Sequence, residues 1–273
     1  MGNNAKFIIG SIRQQLVAVS NRNKVPHLAC SLSSVEILYA LYFNIMRIRP
    51  EQPDWSQRDR FLLGKGHAAA VLYSVLGHRG YFDQERVFEL GQNGSEFEEH
   101  PGKHAPAGVE NISGSLGHAL GLATGMAKAA KLTQSPAHFY VLVGDGELNE
   151  GTNWEAAMFA PAHKLDNLTL IVDFNKLQGT GKSCDIMQLE DMKAKWQAFG
   201  WSTSRIDGHN VDALTDALDS AQIYPGKPRA IVADTVKGAG VSFMADDNNW
   251  HYRIPTAEEV QQVAQELQSS EPS

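Results

Sequence analysis

Cysteine is scarce in this chain of 273 residues: only Cys30 and Cys184 occur, far apart and in no CxxC pair. That excludes a disulfide framework or a cysteine zinc site and predicts a reduced thiol in or near the core at each place. An excess of basic charge is also missing. The 24 Lys and Arg are outnumbered by 31 Asp and Glu, a net charge of −7, so nucleic acid and acidic membrane surfaces are not expected partners. Long apolar runs are absent as well. Nothing approaches the ~18 residues of a membrane span, and the opening MGNNAKFIIGSIRQQ breaks its apolar run at Arg13 and two glutamines, unlike a signal peptide. A cytoplasmic protein with no membrane association is expected.

What is present is ordinary globular composition, 42% hydrophobic and 20% charged, with no internal repeat or linker. Residues 1–273 read as a single domain ending in a frayed tail over 265–273. Periodicity predicts helices over 4–20 and 32–46, a strand over 60–63, a helix over 68–76 and an irregular Gly/His/Pro-rich loop over 91–115. A helix over 117–132, a strand over 139–143, a helix over 154–163 and a strand over 168–174 follow. The last pairs are a helix over 192–199 with a strand over 201–206, and a helix over 211–221 with a strand over 230–233. This alternation predicts an α/β fold, a doubly wound, mostly parallel sheet with helices on both faces. In the helix over 117–132, Gly117, Gly121 and Gly125 share one face. Each costs about 1 kcal/mol against alanine, which predicts another element packed close to that face.

The segment VLVGDGE at 141–147 ends a buried strand in an acid between two glycines. About thirty residues later, the length of one βαβ unit, a second strand ends at Asn175 in VDFNKLQ. A right-handed crossover places Asp145 and Asn175 at the carboxyl ends of strands ~4.8 Å apart, facing one crevice. A carboxylate with an amide oxygen suits a hard dication such as Mg²⁺ bridging a bound diphosphate. Gly146 leaves its amide unobstructed, and the following helix N-terminus adds a positive dipole, so backbone groups rather than lysines are expected at the phosphates.

With GDGELNEGTNWEA and VDFNKLQ in place, the chain resembles the transketolase family. GKGHAA, HPGKHAPAGVENISGSLGHALGLATGMA, RIDGHNVDAL and TVKGAGVSFM with NNWHYR extend the similarity over nearly the whole sequence. The resemblance implies a thiamine diphosphate-binding fold. It implies side-chain ligation of Mg²⁺, or another dication such as Ca²⁺ or Mn²⁺, by Asp145 and Asn175, with the carbonyl of Leu177. It also brings Gly144, Gly146 and Glu147 to the cofactor and lays Gly114, Ser115 and Leu116 against it. His27, His67, His100 and His251 match histidines that line the channel to the thiazolium and act in catalysis, His67 and His251 also contacting cofactor. His118 departs from the family, which has glutamine there.

The glutamate that hydrogen-bonds the aminopyrimidine belongs, in that family, to a pyrimidine-binding domain that would begin near 256–273. The resemblance therefore implies the N-terminal subunit of a split transketolase, inactive alone and completed by a C-terminal, pyrimidine-domain subunit in an α2β2 assembly acting on small sugars. Competing readings are an E1 alpha subunit of a 2-oxoacid dehydrogenase and a noncatalytic binding protein. The last competitor is a dinucleotide-binding oxidoreductase, since GKGHAA at 64–69 fits GxGxxA with Asp83 as the ribose acid, but it leaves Asp145 and Asn175 without a role. GTGKS at 179–183 is no P-loop, because Lys occupies position 176 where the first glycine is required.

Overall fold

A computed structural model describes residues 2–269. In chain order the helices are α1 (Asn3–Asn23), α2 (Leu28–Leu32), α3 (Val35–Tyr39), α4 (Ala69–Arg79) and α5 (His118–Leu132), then α6 (Gly151–Ala162), α7 (Ser183–Ile186), α8 (Met192–Ala198), α9 (Val211–Leu218) and α10 (Ala257–Ser269). The strands are β1 (Arg60–Leu63), β2 (Phe139–Gly144), β3 (Leu168–Phe174), β4 (Ser202–Asp207) and β5 (Arg229–Asp234), all parallel, in spatial order β1-β2-β3-β5-β4.

The central strands are apolar along their length because helices cover both faces. Leu63, Leu142, Ile171 and Ile231 stand in register and point into one core with α1, α3, α4 and α9. Their neighbours Leu62, Val141, Leu170 and Ala230 form the opposite row, packed against α5, α6 and α8. The doubly wound α/β architecture expected from the sequence is the one observed.

Four local expectations need correction. The helix expected over 32–46 is broken: α2 ends at Leu32, α3 starts at Val35, and a wider turn, Ala40–Ile45, follows. The break falls at Ser33 and Ser34, whose hydroxyls donate to Asp173 Oδ2 at 2.7 and 3.1 Å, a partner no local pattern reveals. The tail expected to fray takes part in α10 as far as Ser269, while 270–273 lie outside the described residues. In α5 the alanines face the sheet. Of the three glycines only Gly117, capping α5, is crowded, a Cβ there falling 2.6 Å from Glu150, whereas among the described residues no atom outside the helix turn lies within 4 Å of a Cβ at Gly121 or Gly125. Cys30 is buried as expected; Cys184, expected in or near the core, is instead exposed, because the short α7 buries only Ser183.

At the amino edge of the sheet, His138 is buried with Nε2 2.8 Å from Thr169 Oγ1. Burial, then the nearby Arg229, lowers its pKa to about 3. Between pH 6.5 and about 3 the unfolded chain takes up a proton that the folded chain refuses, so stability falls with acidification by up to about 1.4 kcal/mol per unit. His138→Gln is expected to flatten the pH dependence of Tm in that window; an unchanged slope would refute the assignment.

Candidate active site

The carboxyl ends of β1, β2 and β3 open onto a cavity of about 340 Å³. Crevices at this edge of a doubly wound sheet are where ligands bind. Gly144 pairs with Asp173 in the β2–β3 register, so Asp145 and Asn175 do emerge from adjacent strands. Both are buried and both line the cavity.

Asp145 is held at both oxygens. Oδ1 accepts from the Gly146 N–H at 2.8 Å, and Oδ2 accepts from the Lys176 N–H at 2.8 Å and the Ser183 hydroxyl at 2.9 Å. Burial raises its pKa to about 6 against the Ser183 hydrogen bond. Asn175 Oδ1 accepts from the Leu177 N–H at 3.1 Å, the turn being made by Lys176 at φ 68°. No cluster of three or more His, Cys, Asp or Glu side chains placed for a metal occurs among the described residues. A dication here would meet one carboxylate, one amide oxygen and the Leu177 carbonyl, a hard oxygen set of the kind Mg²⁺ takes. That set fits, and a cation beside Asp145 would favour the ionised form that burial disfavours. Gln178 lines the same cavity with its Nε2 buried and without a hydrogen-bond partner, a donor available to an anionic oxygen.

Histidines form the outer wall. His27 lies 5.4 Å from His67, 5.9 Å from His100 and 5.3 Å from His251, centroid to centroid. His27 adopts a left-handed conformation, φ 66°, and donates its backbone N–H to the His251 carbonyl at 3.0 Å, tying the start of α2 to the segment after β5. Strain at a non-glycine residue is tolerated where the surroundings over-determine it, and it concentrates at functional sites. Burial, reinforced by His100 and Lys237, lowers His27 to about pKa 4. Burial and Lys237 bring His251 to about 4, and burial with Lys65 holds His67 well below its ordinary value. These three rings are neutral at pH 7, each able to donate from one nitrogen and accept at the other.

Two lysines that the sequence pattern does not disclose sit beneath this wall. Lys65, 1% exposed, pairs with Asp173, which is itself fully buried, and donates to the Cys30 carbonyl at 2.8 Å. Lys237 Nζ lies 2.8 Å from Asn248 Oδ1 and 2.8 Å from His251 Nδ1. An ammonium cannot accept, so His251 Nδ1 accepts and its proton resides on Nε2. Buried lysine leaves no periodic signal, and its partner Asp173 lies more than a hundred residues away; only the tertiary fold exposes the arrangement.

Gly114, Leu116, Gly146 and Glu147 line the cavity. Glu147 spends its carboxylate on backbone, accepting from the Gly117 N–H at 3.0 Å and the Gly144 N–H at 3.3 Å, with burial pushing its pKa up to about 7. It thereby clamps the start of α5 to the end of β2. Ser115 is the exception: it is exposed and lines a separate cleft of about 590 Å³ with His118 and Phe159. Gly114 at φ 139° turns the chain so that its successor faces away from the cavity. The dinucleotide reading fails on packing: a Cβ on Gly64 would fall 2.6 Å from Glu147 Oε1 and one on Gly66 2.6 Å from Gly114 N. Both glycines make room for the protein itself, and Asp83 is occupied capping the turn Gln84–Glu89.

Fold and crevice together define a doubly wound α/β protein with a polar, histidine-walled cavity at the carboxyl edge of its parallel sheet. The profile described as "Transketolase, thiamine diphosphate binding domain" matches residues 5–272. The chain is 39% identical over 255 residues to one of the subunits of the apulose-4-phosphate transketolase of Phocaeicola vulgatus, covering 93% of this chain and 90% of the relative. It is 42% identical over 219 residues to the 6-deoxy-6-sulfo-D-fructose transketolase subunit SqwG of a Clostridium species, covering 80% of each. A solved variant transketolase from Pichia stipitis superposes with a TM-score of 0.89 at 28% identity, covering 98% of this chain and 41% of that one. This chain belongs to the transketolase family, as a counterpart of its N-terminal, thiamine diphosphate-binding part. It spans only 38% of human transketolase, to which it is 36% identical over 244 residues. No helix among the described residues is long and apolar enough to cross a membrane.

Proposed function

We propose that the chain is the diphosphate-holding subunit of a two-component transketolase, moving a two-carbon ketol unit from a ketose to an aldehyde acceptor in the cytoplasm. The observation that carries this reading is the convergence of Asp145, Asn175 and Leu177 with His27, His67, His100 and His251 on one cavity. Asp145, Asn175 and the Leu177 carbonyl would hold Mg²⁺, or Ca²⁺ or Mn²⁺, against the diphosphate, with Gly144 and Gly146 alongside and Gly114 and Leu116 against the rings. Thiamine diphosphate, when bound, supplies the carbanion that opens the bond between C2 and C3 of the ketose.

The protein's share is position and protons. Neutral His27 and His67 can both accept from and donate to sugar hydroxyls, His251 donates from Nε2, and a neutral ring that does both relays a proton near neutral pH. Lys237 directs the His251 proton to Nε2. Placing the donor in a histidine-walled cavity also limits its approaches to the cofactor.

Relatives of nearly the same length are named as single subunits of larger transketolases, which supports a separate partner. We assign the aminopyrimidine glutamate to that pyrimidine-domain subunit, in an α2β2 assembly. The names of the relatives favour ketoses that end in phosphate or sulfonate.

The test is ketose consumption with Mg²⁺ and thiamine diphosphate by this chain, by the pyrimidine-domain subunit from the same genome, and by the mixture. Donors are D-fructose 6-phosphate, D-xylulose 5-phosphate, apulose 4-phosphate and 6-deoxy-6-sulfo-D-fructose, each with an aldose phosphate present as the aldehyde acceptor that takes up the ketol unit. Activity is expected only in the mixture. Turnover by the chain alone would overturn the two-component reading, and a mixture that neither binds cofactor nor consumes any donor would overturn the catalytic one.

A further inference from the structure

The residue after His251 closes the outer side of the cavity. Tyr252 lines it, with its ring 4.5 Å from His251 and 5.5 Å from His27, while remaining 64% exposed. Its hydroxyl has no hydrogen-bond partner among the described residues. An apolar ring set edge-on against the histidine wall, at 75° to His251 and 62° to His27, with a polar tip left for something else, is the usual form of a recognition tyrosine: rigid, amphipathic and cheap to order.

Gly179 shows where that tip faces. A Cβ built on Gly179 would lie 3.3 Å from His251 Nε2 and 3.4 Å from Tyr252 Oη, so both polar atoms border the same small space above the glycine backbone. His251 Nε2 carries a proton and donates; the phenol both donates and accepts. A sugar hydroxyl just beyond that glycine can accept from the imidazole and donate to the phenol, and a side chain on residue 179 would take its place.

We infer that Tyr252 is a specificity-determining residue of the cavity mouth. Its hydroxyl, together with His251 Nε2, recognises a hydroxyl of the sugar beyond the two carbons that are transferred. The inference rests on the ketol-transfer reading. Tyr252 performs no chemistry on the cofactor, so its removal weakens substrate binding without slowing the reacting centre.

The test uses the mixture of this chain with its pyrimidine-domain subunit and the donor it consumes best among the four above. Tyr252→Phe, which keeps the ring and deletes the hydroxyl, is expected to raise the donor KM about five- to tenfold with kcat within about twofold. Tyr252→Ala should raise KM further and narrow the kcat/KM ratio between the best and second-best donors. Gly179→Ala, which fills the shared space from the other side, should raise KM in the same sense. Thiamine diphosphate affinity measured by calorimetry, and subunit association measured by sedimentation, should stay as in the wild type for Tyr252→Phe. A donor KM within twofold of wild type in Tyr252→Phe would overturn the inference while leaving transketolase activity standing. So would a loss confined to kcat, or one explained by weaker subunit association. If the wild-type mixture consumes none of the donors, the functional reading falls and this inference falls with it.

Discussion

Asp145→Ala is expected to remove measurable ketol transfer from the reconstituted enzyme and to weaken magnesium-dependent binding of thiamine diphosphate by at least about 100-fold. Changing even a group that only supports a metal ligand typically costs 10- to 100-fold in metal affinity, so loss of the ligand itself should cost no less. Asp145 contributes the one carboxylate of the proposed oxygen set, and its carboxylate also accepts from Gly146, Lys176 and Ser183, fixing the turn that carries Asn175 and Leu177. Asp145→Asn separates the two effects: it keeps an oxygen of similar size and removes the charge. Titration calorimetry with and without Mg²⁺ checks the result, and wild type treated with a chelator should reproduce it. Binding and turnover unchanged in Asp145→Ala would rule this residue out of the metal site.

Asp173→Ala should be the most damaging single change to stability, about 3–5 kcal/mol, because it leaves the Lys65 ammonium buried without its counter-ion. The Cys30 carbonyl and the Ser34 hydroxyl, at 2.8 and 3.2 Å, are polar but carry no charge to offset it. Burial pushes the Asp173 carboxyl up, and Lys65, Thr235 and Ser33 together more than reverse this, holding it below its ordinary value. The pair need not be worth much in itself. Joint replacement by apolar residues, Lys65→Met with Asp173→Leu, should recover most of the loss, since a buried ion pair is often no better than the packing that replaces it. Urea denaturation of the two single variants and the double variant closes the cycle. A single-variant loss below about 1 kcal/mol would show that the ammonium finds another partner or sheds its proton.

These two carboxylates differ in how far the sequence reveals them. Asp145 and Asn175 were legible because a βαβ unit imposes both a spacing and a direction: two apolar runs one crossover apart must end on the same edge. Gly146, next in the chain, came with them, whereas Leu177 was implied only by the family resemblance. Lys65 and Lys237 were not legible. A charged residue is ordinarily solvated, and nothing near Lys65 in sequence announces Asp173, which is held by Ser33, Ser34 and Thr235 from three other positions. The glycines of α5 illustrate the opposite failure. Their spacing predicts one closely packed side, but Gly117 caps the helix in a left-handed conformation and is enclosed by Glu150 and Thr152, whereas Gly121 and Gly125 are exposed, because what packs on that side depends on where α6 lies.

Local periodicity and the order of the motifs were enough to declare a helix-flanked parallel sheet, a crevice at its carboxyl edge and the pair of oxygen donors there. These follow from short-range rules: side-chain alternation along strands, the hand of the crossover, and the absence of a side chain at glycine. The four histidines were named from the sequence only through the family resemblance; the spacing of their rings, the turning of Ser115 out of the cavity, the tautomer of His251 and the position of Tyr252 were decided by the tertiary structure. Each depends on distances between segments remote in the chain, and those distances are set by packing all the layers at once, which no single stretch of sequence encodes.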